Sequence, residues 1–220
     1  MRYGLWWHEF VRRLSWSDAA DSWNDLFDES QKLSPDPARS SREWKLLLSH
    51  LSGPESFRRT LDGNGSITHA EMPFFWKVDH KWCLEGVIDL ALFQRSNASV
   101  AHTASAARTG KCLILDWKTD RVPPDNTETL QARYRPQLAA YWRAVNAMSK
   151  LEVEAAIYST AAGALVRYDT DELIDEWARL EKLSPEQLDA EIVTEFGSVA
   201  SASPAPAPSI ATKPVQLELL

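Results

Sequence analysis

Apolar positions recur at helical spacing at the start of the chain, where Leu5, Trp6, Phe10, Val11 and Leu14 predict a helix over Leu5 to Leu14. Residues 17–62 read as helical but irregular, interrupted by Pro35 and Pro37. Within them Trp44, Leu47, Leu48 and Leu51 mark one face of a helix over Ser41 to Leu51. The cluster Asp62-Gly63-Asn64-Gly65 predicts a turn. The period then changes: Ile67 to Val78 and Trp82 to Phe93 read as two strands joined near Asp79-His80-Lys81. Gln94 to Gly110, rich in Ser, Ala and Thr, reads as a long hairpin loop, and the apolar run in Lys111 to Trp117 suits a buried central strand.

Further on, Pro123-Pro124 excludes regular structure at the start of the polar stretch 121–133. Pro136 fits the first turn of a helix running to Met148; a longer helix kinked at Pro136 is the alternative. Val153 to Ser159 and Leu165 to Tyr168 predict a strand pair around Ala162-Gly163. Helices over Asp171 to Leu183 and Pro185 to Phe196 follow, the second announced by a capping box of Ser184 and Gln187. The expected fold is α/β, a mixed central β-sheet flanked by helices in the order α, β, β, β, α, β. The folded unit is expected over residues 1–196, and the Ala/Ser/Pro-rich residues 197–220 are expected to be a disordered tail.

Composition changes this picture little: 220 residues, 44% hydrophobic, suffice for one sizeable core. The ten tryptophans are expected mainly in that core. Cys83 and Cys112 are expected to be buried thiols in a reducing cytoplasm, and alone they cannot make a four-cysteine metal site. The sequence shows neither a membrane span nor the order of a signal peptide, so a cytoplasmic protein is expected. The formal net charge of -7 argues against a broad basic footprint. Residues 111–150 nevertheless carry seven basic and four acidic side chains, a local net charge of +3.

The chemistry concentrates in two segments, Gly86-Val87-Ile88-Asp89 and Asp116-Trp117-Lys118-Thr119. Asp116 and Lys118 lie two apart on a strand and share a face. If the strands pair as a hairpin, Asp89 lies beside Asp116. Two converging carboxylates are reconciled by a shared proton or a divalent cation, and a hard oxygen site suits Mg²⁺ or Mn²⁺. Lys118 could then orient water or stabilise charge on a phosphate. Read singly, each residue is more often a salt-bridging or capping group than a catalytic one.

Together with Tyr134-Arg135-Pro136-Gln137-Leu138-Ala139-Ala140-Tyr141 and Gly4-Leu5-Trp6-Trp7-His8, these runs give G-x-x-x-H, G-x-x-D, D-x-K and Q-x-x-x-Y in order. Glu71-Met72-Pro73-Phe74 resembles the strand before the first carboxylate. In this the chain resembles the PD-(D/E)XK nucleases, a restriction-endonuclease-like core, and within them the C-terminal nuclease domain of RecB- and AddA-type helicase–nucleases. The resemblance spans about residues 3–180.

It implies a Mg²⁺- or Mn²⁺-dependent DNA nuclease, expected to act as an exonuclease or end-processing enzyme on single-stranded DNA, in repair or recombination with a helicase. It implies metal ligation by His8, Asp89, Asp116 and the Trp117 carbonyl, and catalysis by Asp89, Asp116 and Lys118. Gln137 and Tyr141, on one helix face, would contact substrate, with Arg135 and Tyr134 beside them. Glu71 would serve a second metal or form an ion pair. His8 on residues alone is a packed helix histidine. The aromatics Tyr134, Tyr141 and Trp142 could stack on bases or pack between helix and sheet. No phosphate-binding loop of a helicase motor occurs, so a module of a larger protein or a separately encoded subunit is expected. Gln216-Leu217-Glu218-Leu219-Leu220 resembles the bacterial sliding-clamp motif, or is an uninformative tail. A non-catalytic scaffolding module and a structure-specific endonuclease are the alternatives.

Overall fold

A computed structural model describes residues 3–16, 21–54, 56–57, 67–78, 82–95, 110–123, 125–149 and 151–192. The element order is α1 (Tyr3–Arg12), α2 (Asp21–Gln31), α3 (Pro37–Ser52), β1 (Ile67–Lys77), β2 (Cys83–Arg95) and β3 (Gly110–Lys118). Then come α4 (Thr127–Met148), β4 (Glu152–Ser159), β5 (Ala164–Arg167), α5 (Thr170–Leu180) and α6 (Pro185–Glu191). The five strands form one sheet in the order β1-β2-β3-β4-β5. β1, β2 and β3 are an antiparallel meander, β3 and β4 run parallel, and β5 returns antiparallel to β4. A parallel pair needs a crossover, and α4 supplies it. The α/β fold with a mixed sheet is therefore as expected.

Side chains of β3 alternate between two layers. Cys112 and Ile114 face a core built with Leu138, Ala139 and Trp142 of α4 and Leu173 and Trp177 of α5. Leu113, Leu115 and Trp117 face the other, aromatic core, built from Trp6, Trp7 and Phe10 of α1, Trp23 and Phe27 of α2, and Trp44 of α3. Burying a large side chain contributes about 2–3 kcal/mol, so this layer fixes α1 on the sheet. Three of the indole N–H groups are used across elements: Trp6, Trp23 and Trp142 donate to the carbonyls of Ser30, Ser15 and Val153.

Three expectations need correction. The helix expected from Ser41 starts at Pro37, because Asp36 caps it by accepting from the Arg39 N–H and Pro37 needs no partner there. The helix begins at Thr127, not at Pro136, which lies inside it, so a longer helix through Pro136 replaces the one expected to start there. Leu130 and Tyr134 extend its buried face upstream, and this packing outweighs the missing proline N–H. Cys112 is buried, and burial pushes its thiol up to about 12, but Cys83 is exposed at the start of β2. The capping box of Ser184 and Gln187 is present. The turn at 62–65, most of the 94–110 loop and the tail beyond 192 lie outside the described residues.

A candidate metal-dependent active site

The ladder between β2 and β3 ends at Leu90 opposite Leu115. The next residues in that register are Asp89 and Asp116, so the two carboxylates sit in the fork where the strands part. Asp89 is held there by its neighbours. Its Oδ2 accepts from the Trp117 backbone N–H at 2.8 Å, and its Oδ1 lies 3.3 Å from His8 Nδ1.

Asp89 reaches both layers because the strand alternation slips beside it. Ile88 belongs to the α4 core, whereas Leu90, of the same parity, belongs to the α1 core. β1 slips at the matching place: Met72 packs on the α4 side and Ala70 on the α1 side. Between them Glu71 has φ 49°, the left-handed region that non-glycine residues seldom adopt. Continuing the register, Glu71 is the residue opposite Asp89. Glu71 itself lies 3.6 Å from Arg12, one helical turn beyond His8.

On the α4 side, Asp116 and Lys118 follow the parity of Cys112 and Ile114. Lys118 is 1% exposed and its ammonium touches Asp116 Oδ2. The same ammonium donates to Gln137 Oε1 at 3.0 Å and lies 4.0 Å above the Tyr134 ring. Gln137 Nε2 in turn donates to the Tyr141 hydroxyl at 3.2 Å. Lys118 is thus clamped from three sides.

Gly86 makes room for this chain. A Cβ there would come 2.8 Å from Phe74 and 3.1 Å from Tyr141, whose rings meet edge to face over the strand.

Burial drives the electrostatics. It raises Asp116 well above the usual carboxylate range; Lys118 opposes the shift and Asp89 adds to it. Burial would raise Asp89 as well, but the hydrogen bond and charge of His8, with help from Asp116 and Lys118, outweigh it and hold Asp89 below its ordinary value. The two carboxyls are therefore pushed in opposite directions, Asp89 towards its ionised form and Asp116 towards its protonated one. Tyr141 is also raised, first by burial and then by Asp116, and stays a neutral phenol.

Two carboxylates and an imidazole form a donor set that suits a hard divalent cation. Among the described residues no three His, Cys, Asp or Glu side chains already make a closed coordination cluster. The fit rests on Asp116 Oδ2, which is buried and accepts no hydrogen bond of proper geometry even with the Lys118 ammonium against it. A buried oxygen in that condition beside a second carboxylate is where a cation would bind.

The remaining expected residues fall into two groups. Tyr134, Tyr141 and Trp142 are buried at 2%, 7% and 6% exposure, so their rings pack rather than offer a surface. The Tyr134 hydroxyl donates to Asp120, which also pairs with Arg133. Arg135 lies 3.8 Å from Glu172 on α5. The sequence reading missed Arg39: its guanidinium is buried, ion-paired to Glu43, and donates to the Thr119 carbonyl just past Lys118. Eighty positions separate the two, and no local pattern signals the contact.

The fork between β2 and β3 thus brings together a carboxylate pair, an imidazole and a clamped lysine. The chain matches the PD-(D/E)XK nuclease superfamily over residues 3–214, and it belongs to that superfamily. Its members are typically nucleases and generally use divalent metal ions. No curated protein was found to match the chain. Among the described residues no helix is long and apolar enough to cross a membrane.

Proposed function

We propose that this protein is a Mg²⁺- or Mn²⁺-dependent deoxyribonuclease of the RecB/AddA type. The observation that carries the reading is the Asp89–Asp116 pair in the strand fork, with His8 on one side and the buried, clamped Lys118 on the other. The cation would be held by His8, Asp89, Asp116 and the Trp117 carbonyl, and bound there it supplies charge neutralisation at the scissile phosphate and a more acidic water.

The chain's own residues do the rest. Asp89 is positioned by the Trp117 N–H and by His8. Lys118 presents its ammonium to the reacting phosphate oxygens and the attacking water, stabilising the charge that grows there. Gln137 and Tyr141 act through Lys118 by fixing where its ammonium sits. They position; they do not touch substrate.

No side chain among those described presents a base-reading helix, so action on single strands or ends is favoured over site-specific cutting. The same reading places the protein in the cytoplasm, in DNA repair or recombination beside a helicase, with residues 1–196 as the nuclease domain. The tail segment Gln216 to Leu220 is proposed to dock the sliding clamp. Cleavage of end-labelled single-stranded and duplex DNA with Mg²⁺, Mn²⁺ or EDTA tests this. Metal-dependent products absent in Lys118→Ala and Asp116→Ala are expected; a folded wild type that cuts neither substrate, with or without a helicase, refutes it.

A further inference from the structure

A second charged feature lies just beyond the catalytic strand. A cleft of about 610 Å³ opens between the N-terminal half of α3 and the segment following β3. It sits past the carboxyl ends of the two parallel strands: Arg121 follows β3, and Ala161 follows β4. Open α/β sheets bind ligands in that position. The Thr160 N–H donating to the Lys118 carbonyl ties the two strand ends together.

Three arginines line the cleft, Arg39, Arg42 and Arg121, against two acids, Asp36 and Glu43. Their circumstances differ. Arg39 is committed: buried, paired with Glu43, stacked over Tyr3 and bonded to the Thr119 carbonyl. It forms a fixed positive floor and joins the cleft to the residue next to Lys118. Arg121 is largely exposed and pairs with Asp36 at 3.2 Å. Arg42 is exposed, contacts only the Ala38 carbonyl of its own helix at 3.3 Å, and has no carboxylate partner among the described residues. A concave, arginine-lined cleft in a chain of net charge -7 is the reverse of the general field. It suits an anion with oxygens spread for forked donors.

We infer that this cleft binds a non-scissile phosphodiester of the nucleic-acid strand whose scissile phosphate lies at Asp89 and Asp116. The assignment rests on the nuclease reading and adds a second phosphate contact to it. Arg42 and Arg121 grip the phosphate, Arg39 sets the local potential, and Asp36 competes for Arg121 until the strand arrives. The contact sets register along the strand and carries no base preference.

The test is binding of a labelled single-stranded oligonucleotide in EDTA over a range of KCl concentrations, with cleavage measured separately. Each phosphate contact on a single strand contributes a slope of about 0.7 in log affinity against log salt. The Arg42→Ala/Arg121→Ala protein, which loses this one phosphate contact, should bind about tenfold more weakly at low salt, with a slope shallower by roughly 0.7. Asp36→Asn retains an oxygen to cap α3 and should bind more tightly. Arg179→Ala, which removes an arginine held on α5 by Glu176 and Glu191, should leave both quantities unchanged.

An unchanged slope in the folded double variant overturns the inference, as does an equal loss in Arg179→Ala or a wild type that does not bind. A loss seen only with 5′-phosphorylated strands overturns the diester assignment in favour of a terminal phosphate. Wild-type cleavage with an unaltered slope removes the cleft and leaves the nuclease standing. An altered slope without cleavage does the opposite.

Discussion

Gly86→Ala should damage the site without touching it. The new Cβ would lie 2.8 and 2.9 Å from Phe74 Cε1 and Cζ and 3.1 Å from Tyr141 Cε1. Ordinary carbon contacts are about 3.5–4.0 Å, so both rings must move by roughly 0.5–1 Å. Neither has room: each is 7% exposed and the two are packed with centroids 5.2 Å apart. Overpacking of this kind costs about 1–3 kcal/mol, and losing a flexible strand glycine returns about 0.5–1 kcal/mol. The net cost is about 1–2 kcal/mol, or a Tm lower by about 2–8 °C in a chain of this size. Moving Tyr141 also loosens Gln137 and, through it, Lys118. Displacements of this order cost about 10- to 100-fold in rate. Thermal unfolding and single-turnover cleavage read the two effects. Adding Phe74→Leu should recover part of both, since it vacates the space the Cβ needs. A Gly86→Ala protein as stable and as active as wild type would refute the claim that this glycine exists to seat the two rings.

Three further outcomes are expected. Lys118→Met strips the buried Asp116 of its cation, a loss that grows as the carboxylate ionises, so urea denaturation should show a deficit that increases with pH; a deficit independent of pH would count against the ion pair. Glu71→Gly should relieve the left-handed backbone and stabilise the fold by about 0.5–1 kcal/mol, because the exposed Arg12 contact it loses is weak; a destabilised Glu71→Gly would show the carboxylate to matter more than the strain. In metal-free protein, the raised Asp116 makes stability fall as pH rises above about 4, the unfolded value, towards its folded pKa. The lowered Asp89 instead contributes stability above about 4 that is lost as pH falls through its folded pKa. Asp116→Asn should therefore abolish the decline on the alkaline side in a denaturation series and leave the acid limb.

The sequence carried the strands well because their apolar runs are long and bounded by turn residues: β1, β2 and β3 lie where Ile67 to Val78, Trp82 to Phe93 and Lys111 to Trp117 put them. Spacing also foretold the meeting of Asp89 and Asp116 in a hairpin, and of Gln137 and Tyr141 on one helix face. Strict alternation could not foretell the slip at Glu71 and Asp89, although three successive apolar residues, Leu90, Ala91 and Leu92, hint that both layers are being addressed at once. The start of α4 was misread because the proline rule is local, while the packing that overrides it is not. Surface chemistry fared worst. Cys83, expected to be buried, is exposed, because a cysteine is the same residue type inside or out; the α4 rings do pack between helix and sheet, one of the two roles the sequence left open.

The central claim is that a divalent cation binds between Asp89 and Asp116 and displaces the proton that burial favours on Asp116. Calorimetric titration of the metal-free protein with Mn²⁺, in two buffers of different ionisation enthalpy, tests it most directly. The account predicts saturable binding with release of about one proton per ion below the raised pKa of Asp116, and loss of both in Asp116→Asn. Binding that releases no proton, or that survives Asp116→Asn unchanged, would contradict it.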